Sequence, residues 1–330
     1  MPPAFPLVGN LAVQERLVRA ADEGRLHHAY LLEGPEGVGK ATFARWLAAY
    51  VNCEGWMRPC GSCRSCHLLA AGTHPDLIVV SPDPDRATPI ISVDQAHDLI
   101  RALQLQRHSA RRRFVVLDPV DALNEEAANA LLKTIEEPPE GTQFVLVTAR
   151  VASLLPTLRS RSQRVRFGPV PEAELEAWLA GRGLDGAMAA ASGGSPGLAL
   201  RLAAGEAAAR DALRGALLDA VGQPLGKAFA LTEAEGKKDE GVSRAALAVD
   251  LLEELLRDAA RLANGRDAGL AHPAGRARLE GWGRALWPGG IGRMGLAVAT
   301  ARDRLRLNVN GRVVLEALLT QLNLELSAAR

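Results

Sequence analysis

The sequence predicts an α/β domain followed by all-α domains, and three observations support this fold class. Up to about Phe167, short β-rich runs alternate with helical patterns, which is typical of a parallel sheet covered by helices. A glycine-rich turn joins the first of these runs to an apolar helix. After Pro171 the β-rich runs stop, and alanine, leucine, glutamate and arginine dominate the rest of the chain.

Five short runs predict the strands of the sheet. They are residues 29–32, 77–80, 114–118, 144–148 and 164–167. Two helix starts are also marked. Ser92 and Gln95 have the spacing of a capping box, and Asn124 is an N-cap residue for a helix that ends before Pro138. We therefore expect strand, loop and helix to recur in order.

The composition limits the class of protein. The chain has 330 residues, of which 48% are hydrophobic and 23% charged, so we expect roughly two or three globular domains. Lys and Arg number 39 against 38 Asp and Glu, and a formal charge of +1 gives no overall attraction to nucleic acid or an anionic membrane. No signal-peptide pattern or apolar run of about 20 residues is evident. We expect a cytoplasmic protein with no membrane partner.

The change of pattern predicts three domains. Residues 1–168 form the sheet domain, residues 169–205 a small helical domain and residues 206–330 a larger helical domain. Short helices are predicted over 172–180 and 198–204, and longer amphipathic helices over 245–263 and 313–326.

A phosphate-binding turn, or P-loop, is predicted at residues 34–40, which read GPEGVGK. The turn follows a predicted strand and precedes an apolar helix, so Gly34, Gly37, Gly39 and Lys40 are candidates for binding ATP or ADP through backbone N–H groups and an ammonium group. The alternative interpretation is a glycine-rich turn that only connects strand to helix.

Two residues argue against ATP hydrolysis at this turn. The full motif places a Ser or Thr hydroxyl on Mg²⁺ after the lysine, and this chain has Ala41. Thr42 does not replace that hydroxyl, because one helical residue turns a side chain by about 100°. After the strand 114–118, where many ATPases have a water-activating Glu, the chain has Pro119. Asp118 remains open as a metal ligand or a structural strand-end residue, and nucleotide binding itself stays open.

All four cysteines of the chain cluster within 14 residues of sequence. Cys53, Cys60, Cys63 and Cys66 have the spacing Cys-x6-Cys-x2-Cys-x2-Cys, which predicts a structural Zn²⁺ site with four thiolates. An iron–sulfur cluster and free redox thiols are the alternatives. Four protein ligands leave no open coordination position for catalysis, so we expect the metal to stabilise an insertion after the P-loop helix. His67 and His74 lie nearby and are not needed as ligands.

Together these motifs resemble the bacterial clamp-loader family of the replicative DNA polymerase. The landmarks that carry the resemblance are the P-loop, the cysteine spacing, AGTHPD at 71–76, ANALLKTIEEPP at 128–139 and LRSRS at 158–162. The motor subunits (γ/τ) of this family have Thr or Ser after the P-loop lysine and Asp-Glu at the second motif. Ala41 and Pro119 therefore favour the δ′ branch, as does the run GTHPD.

The resemblance implies an AAA+ nucleotide-binding domain, a small helical lid and a helical collar through which five subunits assemble. It also implies that Arg161, in Ser160-Arg161-Ser162, is an arginine finger for ATP bound by the neighbouring subunit. A solvated basic strip that includes Arg161 is the alternative. In the family's lid an arginine reaches the nucleotide, and here Gly197 takes that position, with Arg201 as an uncertain substitute.

Three functional hypotheses follow. The first is an ATPase-deficient stator that joins γ/τ and δ subunits in a heteropentameric ring and supports loading of the sliding clamp onto primed DNA. The second is an active γ/τ-type motor ATPase, and the third is a zinc-dependent DNA-binding module. The three arginines at 111–113 are interpreted as a solvated loop, not a DNA site.

Overall fold

The computed structural model describes residues 5–83, 89–221, 238–266, 270, 272–306 and 309–328. The chain forms two compact units. One comprises Met1–Ala189 with Gly193–Ala199, and the other comprises Ala190–Ser192 with Leu200–Arg330. The first unit contains a parallel sheet and the second is helical, which confirms the predicted fold class.

The first unit is built on a five-stranded parallel sheet. Its strands are β1 (Ala29–Glu33), β2 (Leu77–Val80), β3 (Arg113–Leu117), β4 (Thr142–Thr148) and β5 (Gln163–Arg166). Their order is β2-β3-β4-β1-β5. All five predicted strands are confirmed, with ends that shift by one or two residues. Because the strands are parallel, their carboxyl ends share one edge, where ligands bind in sheets of this class.

Helices cover both faces of this sheet. They are α1 (Leu11–Asp22), α2 (Lys40–Asn52), α3 (Arg64–Ala70), α4 (Val93–Gln104), α5 (Glu125–Glu136) and α6 (Pro156–Ser160), and α7 (Glu172–Ala180) follows them in a separate cluster. Successive strand residues point to opposite faces. In β1, Tyr30 and Leu32 join a core with α1, α2 and α3, whereas Leu31 joins a second core with α4, α5 and α6.

The predicted helix starts are confirmed. The Ser92 hydroxyl accepts a hydrogen bond from the N–H of Gln95, and the Gln95 side chain accepts one from the N–H of Ser92, so the capping box that opens α4 is complete. The Asn124 side chain accepts from the N–H of Ala127 at 2.8 Å and opens α5. Both caps satisfy N–H groups that have no partner within the helix.

A small cluster of helices follows the sheet. The predicted helix over 172–180 is α7, and α8 (Met188–Ala191) and α9 (Pro196–Arg201) follow it. Their shared core contains five buried residues, namely Val170, Leu175, Leu179, Ala189 and Ala199. The helix predicted over 198–204 begins two residues earlier, because the Ser195 hydroxyl accepts from the N–H of Leu198 and its carbonyl from that of Ala199. A π-helical turn then covers Leu202–Glu206.

Long amphipathic helices form the second unit. They are α10 (Ala207–Ala220), α11 (Lys238–Ala263), α12 (Arg276–Leu286), α13 (Gly289–Arg306) and α14 (Gly311–Ala328). Their leucine-rich stripes form one core. Glu254 accepts from two buried arginines, Arg210 at 2.7 Å and Arg214 at 3.0 Å. Within the described ranges, every helix is too short or too polar to cross a membrane.

One expectation for the first unit was wrong. Arg113 is not part of a solvated loop but opens β3, with its side chain only 4% exposed. Its guanidinium donates to the carbonyls of Ala102, Leu105 and Gln106 at the end of α4, and its Nε lies 3.5 Å from a carboxylate oxygen of Asp76. The Arg113 charge therefore has its partners inside the fold. Of the three arginines, only Arg111 is well exposed.

Candidate functional site

The lysine of the phosphate-binding turn bonds to the turn itself. Lys40 is the first residue of α2, and its side chain is buried. Its Nζ donates to the carbonyl of Gly34 at 2.7 Å and to that of Pro35 at 2.5 Å. Burial lowers the pKa of Lys40, and the nearby carboxylates of Asp118 and Glu36 oppose that shift. The ammonium group that would meet a phosphate is thus satisfied by backbone oxygens.

The turn that opens α9, residues 195–198, closes on the P-loop. We call it the α9 turn. The N–H of Gly197 donates to the carbonyl of Gly37 at 2.9 Å, and the Ser195 hydroxyl donates to the carbonyl of Glu36 at 3.2 Å.

Both glycines are required for this close approach. A Cβ on Gly37 would lie 2.3 Å from the Ser195 hydroxyl oxygen, and Gly37 also has a φ of +73°. A Cβ on Gly197 would lie 3.2 Å from Gly37. Where the family's lid has an arginine, this chain therefore has direct backbone contact between Gly197 and Gly37.

The second nucleotide motif lies at the carboxyl edge of the sheet. Asp118 follows β3, and its N–H donates to the carbonyl of Val80 at 3.0 Å. Burial raises the pKa of Asp118, while Lys40 and Arg45 oppose the shift. Pro119 is exposed and offers neither a carboxylate nor an N–H donor. This edge has a half-buried acid but no group at position 119 that could activate water.

A polar network at the same edge was not predicted from the sequence. Thr148, the last residue of β4, is buried and donates its hydroxyl to Asp121 at 2.6 Å. Arg150 forms an ion pair with the same aspartate, and its N–H donates to the Thr148 hydroxyl. The only sequence signal was a polar residue at each strand end. The network fixes the loops that follow β3 and β4.

Arg161 lies between α6 and β5, and three contacts hold it. Its Nε donates to a carboxylate oxygen of Glu136 at 2.6 Å, and its Nη1 donates to the carbonyl of Thr157 at 3.3 Å. Its own carbonyl lies 3.1 Å from Nε2 of His28. The guanidinium is partly exposed, with 32% of the side chain accessible. It is therefore oriented but reachable from outside the chain.

The residues that follow Arg161 bear on whether it belongs to a solvated basic strip. Ser162 is buried and donates to the carbonyl of Leu158 at 3.0 Å, so serine fills the position of the family's cysteine without an unsatisfied group. Arg164 lies 2.7 Å and Arg166 3.4 Å from the buried carboxylate of Glu33. These two arginines are ion-paired, which distinguishes them from a freely solvated strip.

Arg161 and the P-loop lie at opposite edges of the sheet. The parallel strands β1 and β5 pair Tyr30 with Gln163 and Glu33 with Arg166. Arg161 precedes β5, at the amino edge, whereas the P-loop follows Glu33, at the carboxyl edge. The length of the paired strands alone separates these edges by about 10 Å. Arg161 is not directed at the P-loop of its own chain.

The four cysteines come together as the sequence predicts. Cys53 ends α2, Cys63 caps α3, and the four Sγ atoms lie within 4.8 Å of one another, with no disulfide. Four sulfurs at the Zn–S distance of about 2.3 Å would be about 3.8 Å apart, so the cluster fits a tetrahedral metal ion. Backbone N–H groups of Gly55 and Cys60 both donate to Cys53 Sγ at 3.3 Å. These four residues could hold a metal.

The thiols of the cluster differ in environment. Hydrogen bonds from the Ser62 hydroxyl and backbone lower the pKa of Cys60 to about 5, whereas burial raises the pKa of Cys66. Among the described residues, the clustered ligand set consists of cysteines alone. His67 is exposed, and His74 is buried with its Nδ1 accepting from the N–H of Asp76.

Comparisons with known proteins identify the amino-terminal half. Residues 9–171 match the family model described as DNA polymerase III, delta subunit. The chain is 44% identical over 188 residues to DNA polymerase III subunit delta' of Pseudomonas aeruginosa, covering 53% of this chain and 55% of that protein. It is 37% identical over 199 residues to DNA polymerase III subunit delta' of Escherichia coli, covering 58% of this chain and 59% of that protein. The match thus spans little more than half of these relatives.

Other members of the replication machinery are also similar. The chain is 38% identical over 157 residues to DNA polymerase III subunit tau of Escherichia coli, covering 47% of this chain and 24% of that protein. A crystal structure of a DNA polymerase III gamma subunit-related protein from Thermotoga maritima covers 94% of this chain and 99% of its own, at 19% identity and a TM-score of 0.42. The family model over residues 9–171 and the similarity to DNA polymerase III delta' subunits together confirm the resemblance to the clamp-loader family.

Proposed function

We propose that this chain is a δ′-type subunit of a bacterial clamp loader that does not hydrolyse ATP itself. In this proposal it joins γ/τ motor subunits and a δ subunit in a five-membered ring. It supplies Arg161 to ATP on the neighbouring motor subunit and so supports loading of the sliding clamp onto primed DNA. The similarity to subunits delta' and tau supports membership of such a complex.

The position of Arg161 is the observation that carries this proposal. A partly exposed guanidinium lies at the amino edge of the sheet, whereas its own P-loop lies at the carboxyl edge. An arginine that stabilises a transferring phosphoryl group must reach the phosphate. This geometry favours a phosphate bound outside the chain. Glu136 and Thr157 hold the side chain ready for that contact.

The closed P-loop supports the absence of hydrolysis. Ala41 supplies no hydroxyl for Mg²⁺, Pro119 no carboxylate for water, and Gly197 no guanidinium for the nucleotide. In addition, the Lys40 ammonium donates to the carbonyls of Gly34 and Pro35, and the α9 turn packs against the P-loop and donates to two more of its carbonyls. A phosphate that accepted from Lys40 would have to compete with the Gly34 and Pro35 carbonyl oxygens for the ammonium group. We infer that Gly34, Gly37, Gly39 and Lys40 have a structural role and do not form a working nucleotide site.

We further propose that Cys53, Cys60, Cys63 and Cys66 bind one structural zinc ion. Zinc fits four thiolates at this spacing, and it would fix the loop between α2 and α3. Reduced thiolates suit a cytoplasmic location. We retain the division into an AAA+ domain at 1–168, a lid at 169–205 and a collar at 206–330 as part of this proposal. Arg201 is not assigned to nucleotide, since it lies 3.6 Å from Glu206.

Reconstitution tests the proposal against a motor ATPase. The chain is mixed with the motor and δ subunits of its own host, and complex mass and DNA-stimulated ATPase are measured with and without it. We expect a single complex that contains the chain, higher ATPase when the chain is present, and no ATPase from the chain alone. ATP turnover by the isolated chain at motor-like rates would instead establish the motor hypothesis.

A further inference from the structure

The loop between the first two cysteines displays a tryptophan that packs against nothing. This segment, residues 53–60, is called the cysteine loop. The Trp56 side chain is 103% exposed and Met57, beside it, is 84% exposed. No other large hydrophobic side chain in the described ranges is as exposed as Trp56. Such exposure contributes nothing to folding, so it needs another explanation.

The cysteine loop is nevertheless held firmly on both sides of Trp56. Cys53 Sγ accepts from the N–H groups of Gly55 and Cys60, each at 3.3 Å. After the tryptophan, Arg58 lies 2.8 Å from the carboxylate of Asp22 and sits over the Tyr50 ring, 4.8 Å from its centre. The backbone on both sides of Trp56 is therefore held in place, so ordering it costs little conformational entropy when a partner binds, which suits a recognition site.

The surroundings of Trp56 are charged. A cavity of about 210 Å³ beside the ring is lined by Cys53, Glu54, Gly55, Trp56, Arg58 and Arg111. The guanidinium of Arg58 is already paired with Asp22, which leaves that of Arg111. Arg111 is exposed, and it forms no ion pair with any residue that the structure describes. Among the described residues, this surface has no apolar groove for a helix of a protein partner. A flat ring beside the guanidinium of Arg111 suits a stacked base with its phosphate.

We propose that the cysteine loop binds single-stranded nucleic acid. One base stacks on Trp56, and the guanidinium of Arg111 holds the adjacent phosphate. Stacking on an aromatic ring accepts any base, so the site reads strand character and not sequence. Small cysteine-rich knuckles are among the modules that bind single strands in this way. This site is separate from Arg161 and does not depend on ATP.

Fluorescence anisotropy with the full chain tests this site. The probe is a labelled oligothymidylate of about 12 nucleotides, at low and moderate salt. We expect Trp56→Ala to weaken binding about 5- to 150-fold and Trp56→Phe, which keeps a ring, to weaken it less. Arg111→Ala should reduce the slope of log affinity against log salt by about 0.7. Leu105→Ala, which removes another exposed apolar side chain of the same unit, is the control and should bind as the parent does.

Two results would overturn the inference. One is oligothymidylate binding that is absent, or that is equal in Trp56→Ala and the parent. The other is a Trp56-dependent interaction with a peptide rich in Glu and Phe but not with the oligonucleotide, which would assign the surface to a protein partner. Because Trp56 is fully exposed, its replacement should leave the melting temperature unchanged. The isolated chain is used, so the outcome is independent of the proposed role in a ring.

Discussion

Asp76 supports the sheet domain from inside, and its removal is the sharpest test of the fold. The carboxylate is buried and accepts from the N–H groups of His108 at 3.0 Å, Ser109 at 2.9 Å and Ala110 at 3.0 Å. It also lies 3.5 Å from the buried guanidinium of Arg113. Asp76→Ala would leave three N–H donors without an acceptor and would take the carboxylate from the buried guanidinium of Arg113, which keeps its three carbonyl acceptors. We expect a loss of about 3–5 kcal/mol in the free energy of unfolding.

Urea denaturation followed by circular dichroism and tryptophan fluorescence measures this loss. The matched control is Asp98→Ala, which removes a surface carboxylate that is 66% exposed and paired with Arg101. That control should change the free energy of unfolding by less than about 1 kcal/mol. If Asp76→Ala were as stable as the control, the buried network would not support the domain as argued.

The pH dependence of the parent chain follows from the same group. Burial raises the pKa of Asp76, but hydrogen bonds from Ser109, Ala110 and His108, together with Arg113, outweigh it, and the net pKa is lowered. The folded state therefore binds the proton less tightly than the unfolded state. The contribution of Asp76 is fully present above about pH 4 and is lost as the pH falls through the folded pKa. Below pH 4, stability should fall less steeply in Asp76→Ala than in the parent.

Three further predictions concern the sites. Glu136→Gln should lower ATPase of the assembled ring by no more than about fivefold, because it removes only an exposed partner of Arg161; a larger loss would mean that Glu136 has another role. Protein purified without chelator should carry one zinc per chain by elemental analysis, and Cys63→Ser should lower that content; metal-free parent protein would reject the zinc assignment. Ala41→Thr should not restore binding of a fluorescent ATP analogue, because the α9 turn still closes the P-loop; saturable binding would contradict that closure.

Local sequence signals predicted the elements of the first unit. Short β-rich runs marked all five strands, and Ser92 and Asn124 marked the starts of α4 and α5. The cysteine spacing predicted the cluster, since ligands separated by two residues must be near in space. In each case the information lies within a few residues of sequence, where backbone geometry limits the outcomes.

The remaining features arise between distant segments. Asp76 accepts from Ala110, 34 residues later, and Glu136 meets Arg161 across 25 residues. Neither pair has a periodic pattern, so only the fold brings them together. Arg113 looked like a solvated charge because its neighbours are also arginines, yet β3 directs it into the interior. Nothing in the sequence indicated that Gly197 would contact the P-loop, because this contact depends on how the two segments pack.

The central claim is that Arg161 acts on ATP bound by another subunit. The most direct measurement is DNA-stimulated ATPase of the reconstituted complex containing Arg161→Ala, with Arg159→Ala, two residues earlier in the chain, as the control. The complex should assemble with both variants. With Arg161→Ala the rate at the interface served by this chain should fall about 10³- to 10⁵-fold, so total turnover should fall by the share of that interface. Turnover equal to that of the parent complex would contradict the account.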